Sequence, residues 1–383
     1  MLNIVGIFLA IFLSFILFTK KNKLKADKIL SIWFFIVGLH LFLFYLSSII
    51  NQYYQPYLLL GASFPLLHGP MLYFYTNALT SQNKISFKEY FLHSLPIVIF
   101  YITLTTFIFL PHQEKLLVFT QKGLGYETEK LIRKILIYAS GIFYVILSLN
   151  LLYKHSKNIQ NNFSDTEKIN LVWLRYLICS MAIIWLAVFT GNKAFIFSLV
   201  AIFVILLGYF GIKQVGIFTQ TLSNSPSIEN NQSISQIPDT QITSLKFEEN
   251  EFNTKILKNS LSSSYLSEVH QKLIELVDKE KPFLNPELTI AQLASKISVH
   301  PNYLSQAINL LEEKTFYDYI NEKRIDEFKK IIFKPENQKY TILALAYNCG
   351  FNSKTAFYRN FKNVTGLSPT QYLKQQNIQL EDN

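Results

Sequence analysis

Hydrophobic positions divide the chain into two regimes. Seven apolar runs fill the first 212 positions: residues 2–18, 29–50, 57–79, 91–110, 135–153, 171–190 and 194–212. At about 1.5 Å of rise per residue, roughly 20 apolar residues cross the ~30 Å hydrocarbon core of a bilayer, so each run predicts a spanning helix. The stretch Pro65 to Pro70, with His68 and Gly69 inside it, predicts a bend in the third run, because each proline removes a backbone donor. Residues 219–253 are then rich in Ser, Asn, Gln and Thr, include Pro226 and Pro238, and hold no period. A flexible linker over residues 214–260 is the expectation, since such composition cannot bury enough apolar surface to offset its ordering entropy.

From about residue 264 a helical period returns in Leu266, Val269, Leu273, Leu276 and Val277. Thr289 and Gln292 have capping-box spacing ahead of a stripe of Ile290, Leu293, Ala294 and Ile297. Ser298, Val299 and His300 form a turn, and Pro301 opens a second helix at the position proline tolerates best. That helix buries Leu304 and Ile308 and turns Asn302, Ser305, Gln306 and Asn309 outward. This is a helix-turn-helix outline, and the chain repeats it. Ile342, Leu345 and Ala346 form the stripe, Gly350 the turn and Ser353 the cap. Phe357 and Phe361 point inward, while Lys354, Thr355, Tyr358, Arg359 and Lys362 make the outer face. Between the two, Phe316, Tyr319, Ile320, Ile325 and Phe328 trace an amphipathic helix able to hold both units rigidly.

Charge sharpens this picture. The net +10 resides mainly in residues 1–218, which hold 18 basic and 7 acidic side chains, whereas residues 254–383 hold 17 and 14. Basic loops stay on the cytoplasmic side. With the N-terminus outside, the inner loops 19–28, 80–90 and 154–170 carry 5, 2 and 3 Lys or Arg, and the outer loops 51–56, 111–134 and 191–193 carry 0, 5 and 1. The balance predicts an N-out bundle in an inner (cytoplasmic) membrane, and seven crossings deliver the C-terminal domain to the cytoplasm. Within that domain, Lys339 to Lys374 contains five basic residues and no acidic one, a local charge suited to phosphates.

Candidate chemistry inside the spans is sparse. His40 and His68 fall at mid-depth on adjacent runs, where they could line a ligand pocket or equally make one interhelical hydrogen bond. The two cysteines and scattered histidines give no metal cluster, and no zinc, phosphate-cradling or nucleophile-elbow motif occurs, so neither enzyme activity nor a cofactor is expected. A transporter or channel with a cytoplasmic regulatory helical tail is the competing class, disfavoured by the absence of an internal repeat and by the few charges within the spans.

The segments Leu288 to Ala294, Asn302 to Ser305, Phe316 to Asn321 with Arg324, Ala346 to Ser353, and Thr365-Gly366-Leu367-Ser368-Pro369 resemble the AraC/XylS-type DNA-binding domain. The likeness covers residues 265–377, and it implies a regulator whose two recognition helices enter adjacent major grooves of double-stranded DNA, with base-reading positions at Asn302, Ser305, Gln306, Lys354, Thr355, Tyr358 and Arg359. Two departures stand out. Glu313 occupies the place of a usual glycine, and Ile308-Asn309 that of a usual phenylalanine-lysine pair. The expected architecture is therefore all-α: a seven-helix transmembrane bundle over residues 1–213, a disordered linker, and a DNA-binding domain over 261–377 with units 289–312 and 341–363. The membrane part would lie in the lipid bilayer, sense an unknown signal ligand and offer a homodimer contact.

Overall fold

A computed structural model describes residues 2–81, 86–167, 169–224 and 251–376. Among the described residues all regular elements are helical, and the only strand-like pairing is an isolated antiparallel bridge between Phe163 and Thr289. The chain forms two units: Met1–His155 with Leu171–Ser225, and Ser156–Asn170 with Pro226–Asn383.

The first unit contains α1 (Leu2–Thr19), α2 (Lys25–Ile49), a 3-10 helix (Gln52–Ser63), α3 (Pro65–Thr80), α4 (Phe87–Thr103), α5 (Thr105–Ile108) and α6 (His112–Thr120), then α7 (Glu127–Asn162), α8 (Val172–Val188) and α9 (Lys193–Asn224). The last turns of α7, from Ser156, belong to the second unit. Among the described residues, α1, α2 and α7 are long and apolar enough to cross a bilayer, and α8 and the Lys193–Tyr209 part of α9 are apolar but shorter. The expectation of seven full-length spans is corrected on this point. The run 57–79 is not one bent helix, because a 3-10 helix containing Pro56 occupies Gln52–Ser63 and α3 starts afresh with Pro65 in its first turn. The run 91–110 divides at Leu104 into α4 and α5. At the far end, α9 continues to Asn224 and the next helix begins at Glu251, so the flanks of the expected linker are helical and residues 225–250 lie outside the described residues.

Packing in this unit follows small residues and aromatic rings. A Cβ on Gly6 would stand 3.0 Å from the Ala201 Cβ, and one on Gly38 would stand 2.9 Å from Ile11, which is how α1 approaches α9 and α2 closely. Ser14 and Ser31 each donate a hydroxyl to the other's carbonyl at 2.8 Å, tying α1 to α2 without leaving a polar group unmet. Trp33, Leu41, Leu66, Leu72, Ile178 and Val204 lie in the core. The opposite faces remain apolar: Phe8 is 72% exposed, and Phe15, Phe18, Phe35 and Ile142 are exposed too.

The second unit contains α10 (Glu251–Glu280), a 3-10 turn (Pro282–Leu284), α11 (Ile290–Lys296), α12 (Pro301–Leu311), α13 (Phe316–Ile331), a 3-10 turn (Pro335–Asn337), α14 (Ile342–Asn348), α15 (Lys354–Thr365) and α16 (Pro369–Gln375). Two cores share α13. Phe316, Tyr319 and Ile320 join the core of α10, α11 and α12, whereas Ile325 and Phe328, with Ile332 just past the end of the helix, join that of α14, α15 and α16. One helix is therefore buried at its N-terminal end in the first core and at its C-terminal end in the second, so the two cores cannot move independently without bending it.

Candidate nucleic-acid interface

The capping box anticipated at Thr289 forms: Gln292 N donates to Thr289 Oγ1 (3.3 Å) and Thr289 N to Gln292 Oε1 (2.9 Å). Leu293, Ala294, Leu304, Ala307 and Ile308 are fully enclosed where α11 meets α12. The turn is closed by Val299 N donating to Ala294 O (3.0 Å), with Ser298 in the left-handed region at φ 55°. His300 caps α12 by accepting from Asn302 N at 3.2 Å.

Thr341 and Ser353 cap α14 and α15, accepting from Ala344 N (3.2 Å) and Ala356 N (3.0 Å). Phe351 N donates to Ala346 O at 3.2 Å, the same closure found 52 positions earlier, and Gly350 takes φ 92° where Ser298 takes its positive φ. Thr289 and Thr341, Leu293 and Leu345, Ala294 and Ala346 are likewise 52 apart. The recognition helices are offset by 53, since His300 caps one and Ser353 the other. On that offset Asn302, Ser305, Gln306 and Asn309 correspond to Thr355, Tyr358, Arg359 and Lys362. The two outer faces are thus equivalent surfaces with different chemistry, neutral on α12 and cationic on α15.

Their side chains are not equally free. Asn302, Gln306, Lys354, Thr355 and Lys362 are exposed, while Ser305 and Tyr358 are half-buried. Lys354 Nζ lies 5.6 Å from the centre of the Tyr358 ring. Asn309 turns back on its own helix, donating to Ser305 O (2.7 Å) and Ser305 Oγ (3.2 Å), so both residues are engaged with each other. Arg359 Nη2 donates to Tyr317 Oη at 2.7 Å, and the same oxygen accepts from buried Asn360 Nδ2 at 2.7 Å. Tyr317 sits on α13 and is itself buried, so the shared helix fixes the most distinctive cation of the second face from behind. Sequence reasoning gave Tyr317 no role, because its partners Arg359 and Asn360 lie 42 and 43 positions away.

Glu313 follows α12 at φ 55°, which accounts for the glycine usual at this place: the chain needs a left-handed residue there. The Ile308 side chain, in place of the usual phenylalanine, is completely enclosed. Arg324, present in the sequence pattern but without an assigned task, is 1% exposed, and burial pulls its guanidinium down to about 10. Burial pushes the Cys349 thiol up to about 12.

In the first unit, His40 Nδ1 and His68 Nε2 share a 2.9 Å hydrogen bond, with their rings stacked 5.2 Å apart. The structure brings this pair together as partners of one another, while His68 Nδ1 is buried without a hydrogen-bond partner. Among the described residues no group of three or more His, Cys, Asp or Glu side chains could hold a metal.

The family described as "Helix-turn-helix domain" matches residues 293–375. The chain carries a helix-turn-helix domain. The melibiose operon regulatory protein of Escherichia coli (strain K12) is 27% identical over 123 residues, 31% of this chain and 40% of that protein. An uncharacterized HTH-type transcriptional regulator of the same strain is 28% identical over 95 residues, 25% of this chain and 32% of its own length. A second such regulator, from the cgkA 5' region of Pseudoalteromonas carrageenovora, is 30% identical over 86 residues, 22% and 49% of the two chains. The chain thus spans less than half the length of these curated relatives. No solved structure matches it.

Proposed function

We propose that the protein is a membrane-bound, sequence-specific transcription regulator of AraC type that reads two adjacent major grooves with α12 and α15. The observation that carries this reading is the repeated helix-turn-helix, with identical turn closures 52 positions apart and one shared helix buried in both cores. A fixed pair of such units suits recognition helices set about 34 Å apart along a duplex. Lys354, Arg359 and Lys362 supply phosphate affinity and, with Asn302, Ser305, Gln306, Thr355 and Tyr358, base discrimination of about 1–3 kcal/mol per good pair. Asn309 acts through Ser305. The names of the relatives support the regulatory role.

The membrane assignment draws on three helices of spanning length, two shorter apolar ones and exposed Phe and Ile side chains that suit lipid better than water. The loop charges favour an N-out bundle with the reading domain in the cytoplasm. The packing of residues 156–170 with the reading domain agrees, since this loop is one of those counted as inner. The first unit would then receive an external or lipid-phase signal, with the histidine pair as its candidate site.

The test is selection from a random duplex library by the full chain in lipid nanodiscs. Two half-sites about one helical turn apart should be enriched, and affinity should fall linearly on a log-log salt plot. Recovery of no preferred sequence would refute the reading.

A further inference from the structure

Residues 156–170, the last turns of α7 and the link that follows toward α8, pack with the reading domain as part of the second unit. Ser164 is their anchor, with 1% of its surface exposed. Its amide donates to Leu288 O (3.1 Å), and its hydroxyl donates to the same carbonyl (2.7 Å). The hydroxyl also accepts from Arg324 Nη2 (3.1 Å), and its carbonyl accepts from Asn321 Nδ2 (3.1 Å) and Arg324 Nη1 (3.3 Å). On one side Phe163 pairs with Thr289, the cap of α11. On the other, Asp165 Oδ2 accepts from Asn352 Nδ2 (2.9 Å), in the turn that leads into α15, while its Oδ1 accepts from Glu167 N (3.0 Å). Three consecutive residues therefore reach the first helix-turn-helix, the shared helix and the second helix-turn-helix.

Arg324 reveals what the segment supplies. Its Nε donates to Phe283 O (2.7 Å), Nη1 to Asn321 Oδ1 (3.1 Å) and Nη2 to Asn285 O (2.8 Å). The remaining two of its five N–H groups go to Ser164. The field of Asp165 favours the charged form that burial opposes. Without the segment, a buried cation would lose two acceptors and a counter-charge, a costlier state than either a fully bonded or a fully exposed one.

We propose that residues 156–170 are a clasp that completes the joint between the two helix-turn-helix units and fixes the spacing of α12 and α15. The segment runs by covalent chain into α7 and α8 and holds the reading heads by hydrogen bonds, so it is a tie to them additional to residues 225–250. The spacing role rests on the DNA-binding reading; the docking does not.

The test uses the full chain in nanodiscs, with Cys179→Ser and Cys349→Ala to remove native thiols and a protease site inserted within residues 225–250. Opposed residues of an antiparallel pair hold their Cβ atoms about 4.5–5.5 Å apart, near disulfide range. Phe163→Cys with Thr289→Cys should therefore keep the two fragments joined after mild oxidation and cleavage, and neither single-cysteine chain should do so. Asp165→Cys with Asn352→Cys, bridged by a short bis-maleimide, repeats the test without touching the Thr289 cap. Loss of both cross-links in chains with the parent's circular dichroism overturns the docking. On a duplex selected by the parent chain, Ser164→Ala with Asp165→Ala should weaken binding about tenfold on the two-site duplex and leave a single half-site unchanged. Equal weakening on both overturns the spacing role. A parent that selects no sequence refutes the proposed function, while the cross-links still decide the clasp.

Discussion

Replacing Tyr317 by Phe removes one oxygen and no carbon, so it isolates the hydrogen bonds behind α15 from the packing of α13. The oxygen accepts from Arg359 Nη2 and Asn360 Nδ2, each at 2.7 Å. Asn360 is 4% exposed and keeps only its bond to Ala356 O at 2.8 Å, so one buried N–H is left unmet, at about 1–2 kcal/mol of domain stability. Arg359 is exposed and recovers water, so its loss is not of stability but of order. Re-immobilising such a side chain on binding costs about 0.5–1.5 kcal/mol, which near 1 kcal/mol is roughly a fivefold loss in DNA affinity. Truncating Arg359 itself should cost about 1–3 kcal/mol if it reads a base, with relaxed preference at that position. The decisive assay is a double-mutant cycle: labelled duplex titrated with the full chain at one fixed salt concentration, for the parent, Tyr317→Phe, Arg359→Ala and the pair. If Tyr317 acts through Arg359, its substitution costs no further affinity once Arg359 is Ala. An undiminished loss in that background, or no loss in the parent, refutes the argument.

Gly350→Ala places a Cβ 2.5 Å from Phe283 O on a backbone at φ 92°; the combined strain and overlap should cost about 2–4 kcal/mol, seen as faster hydrogen exchange across α14 and α15. Glu313→Gly relieves a left-handed residue and should stabilise the domain by about 0.5–1 kcal/mol, raising the denaturant midpoint of exchange in α12 and α13. Cys349 is fully enclosed, and burial holds its thiol in the protonated form; in a Cys179→Ser chain it should resist alkylation until the domain opens, and rapid labelling of the folded chain would contradict the enclosed position.

What the sequence disclosed depended on whether the signal was local. The caps at Thr289 and Ser353, the proline opening α12 and the stripes along α11 and α14 are set by neighbours within four positions, and the structure contains them all. The shared helix was legible for the same reason, since Phe316 to Phe328 carry a clean period. Hydropathy says that a segment is apolar but not how it winds: the prolines marked a bend at Pro65 to Pro70, but not that the chain before Pro65 is a 3-10 helix and that α3 starts there. The contacts of Ser164 were out of reach altogether. They join residues 122 to 160 positions apart, and five of the six involve a backbone atom on one side or the other, which leaves no pattern of side chains to read. Arg324 appeared only as a position in a motif; nothing in its neighbours says that it is enclosed.

A buried arginine is a poor way to hold a domain together. Taking its charge out of water costs several kcal/mol, and apolar replacements of buried ion groups are often neutral or stabilising. Its value at this joint is directional: five bonds reach the Pro282–Leu284 turn, Asn285, Asn321 and Ser164, and they are satisfied together in one relative pose of the two cores. An apolar wedge of similar length would fill the space in many poses. Arg324→Met therefore separates stability from register. The carbonyls left without donors cost about 1–3 kcal/mol each, the avoided burial of charge returns a comparable amount, and the midpoint of unfolding should move little in either direction. Discrimination between a correctly spaced pair of half-sites and a pair moved by one base pair should nevertheless collapse toward equal binding, because a joint that tolerates several poses can follow either spacing. If Arg324→Met keeps the parent's preference for one spacing, the register is set elsewhere, along α13 alone, and the bonds around Arg324 are incidental to reading.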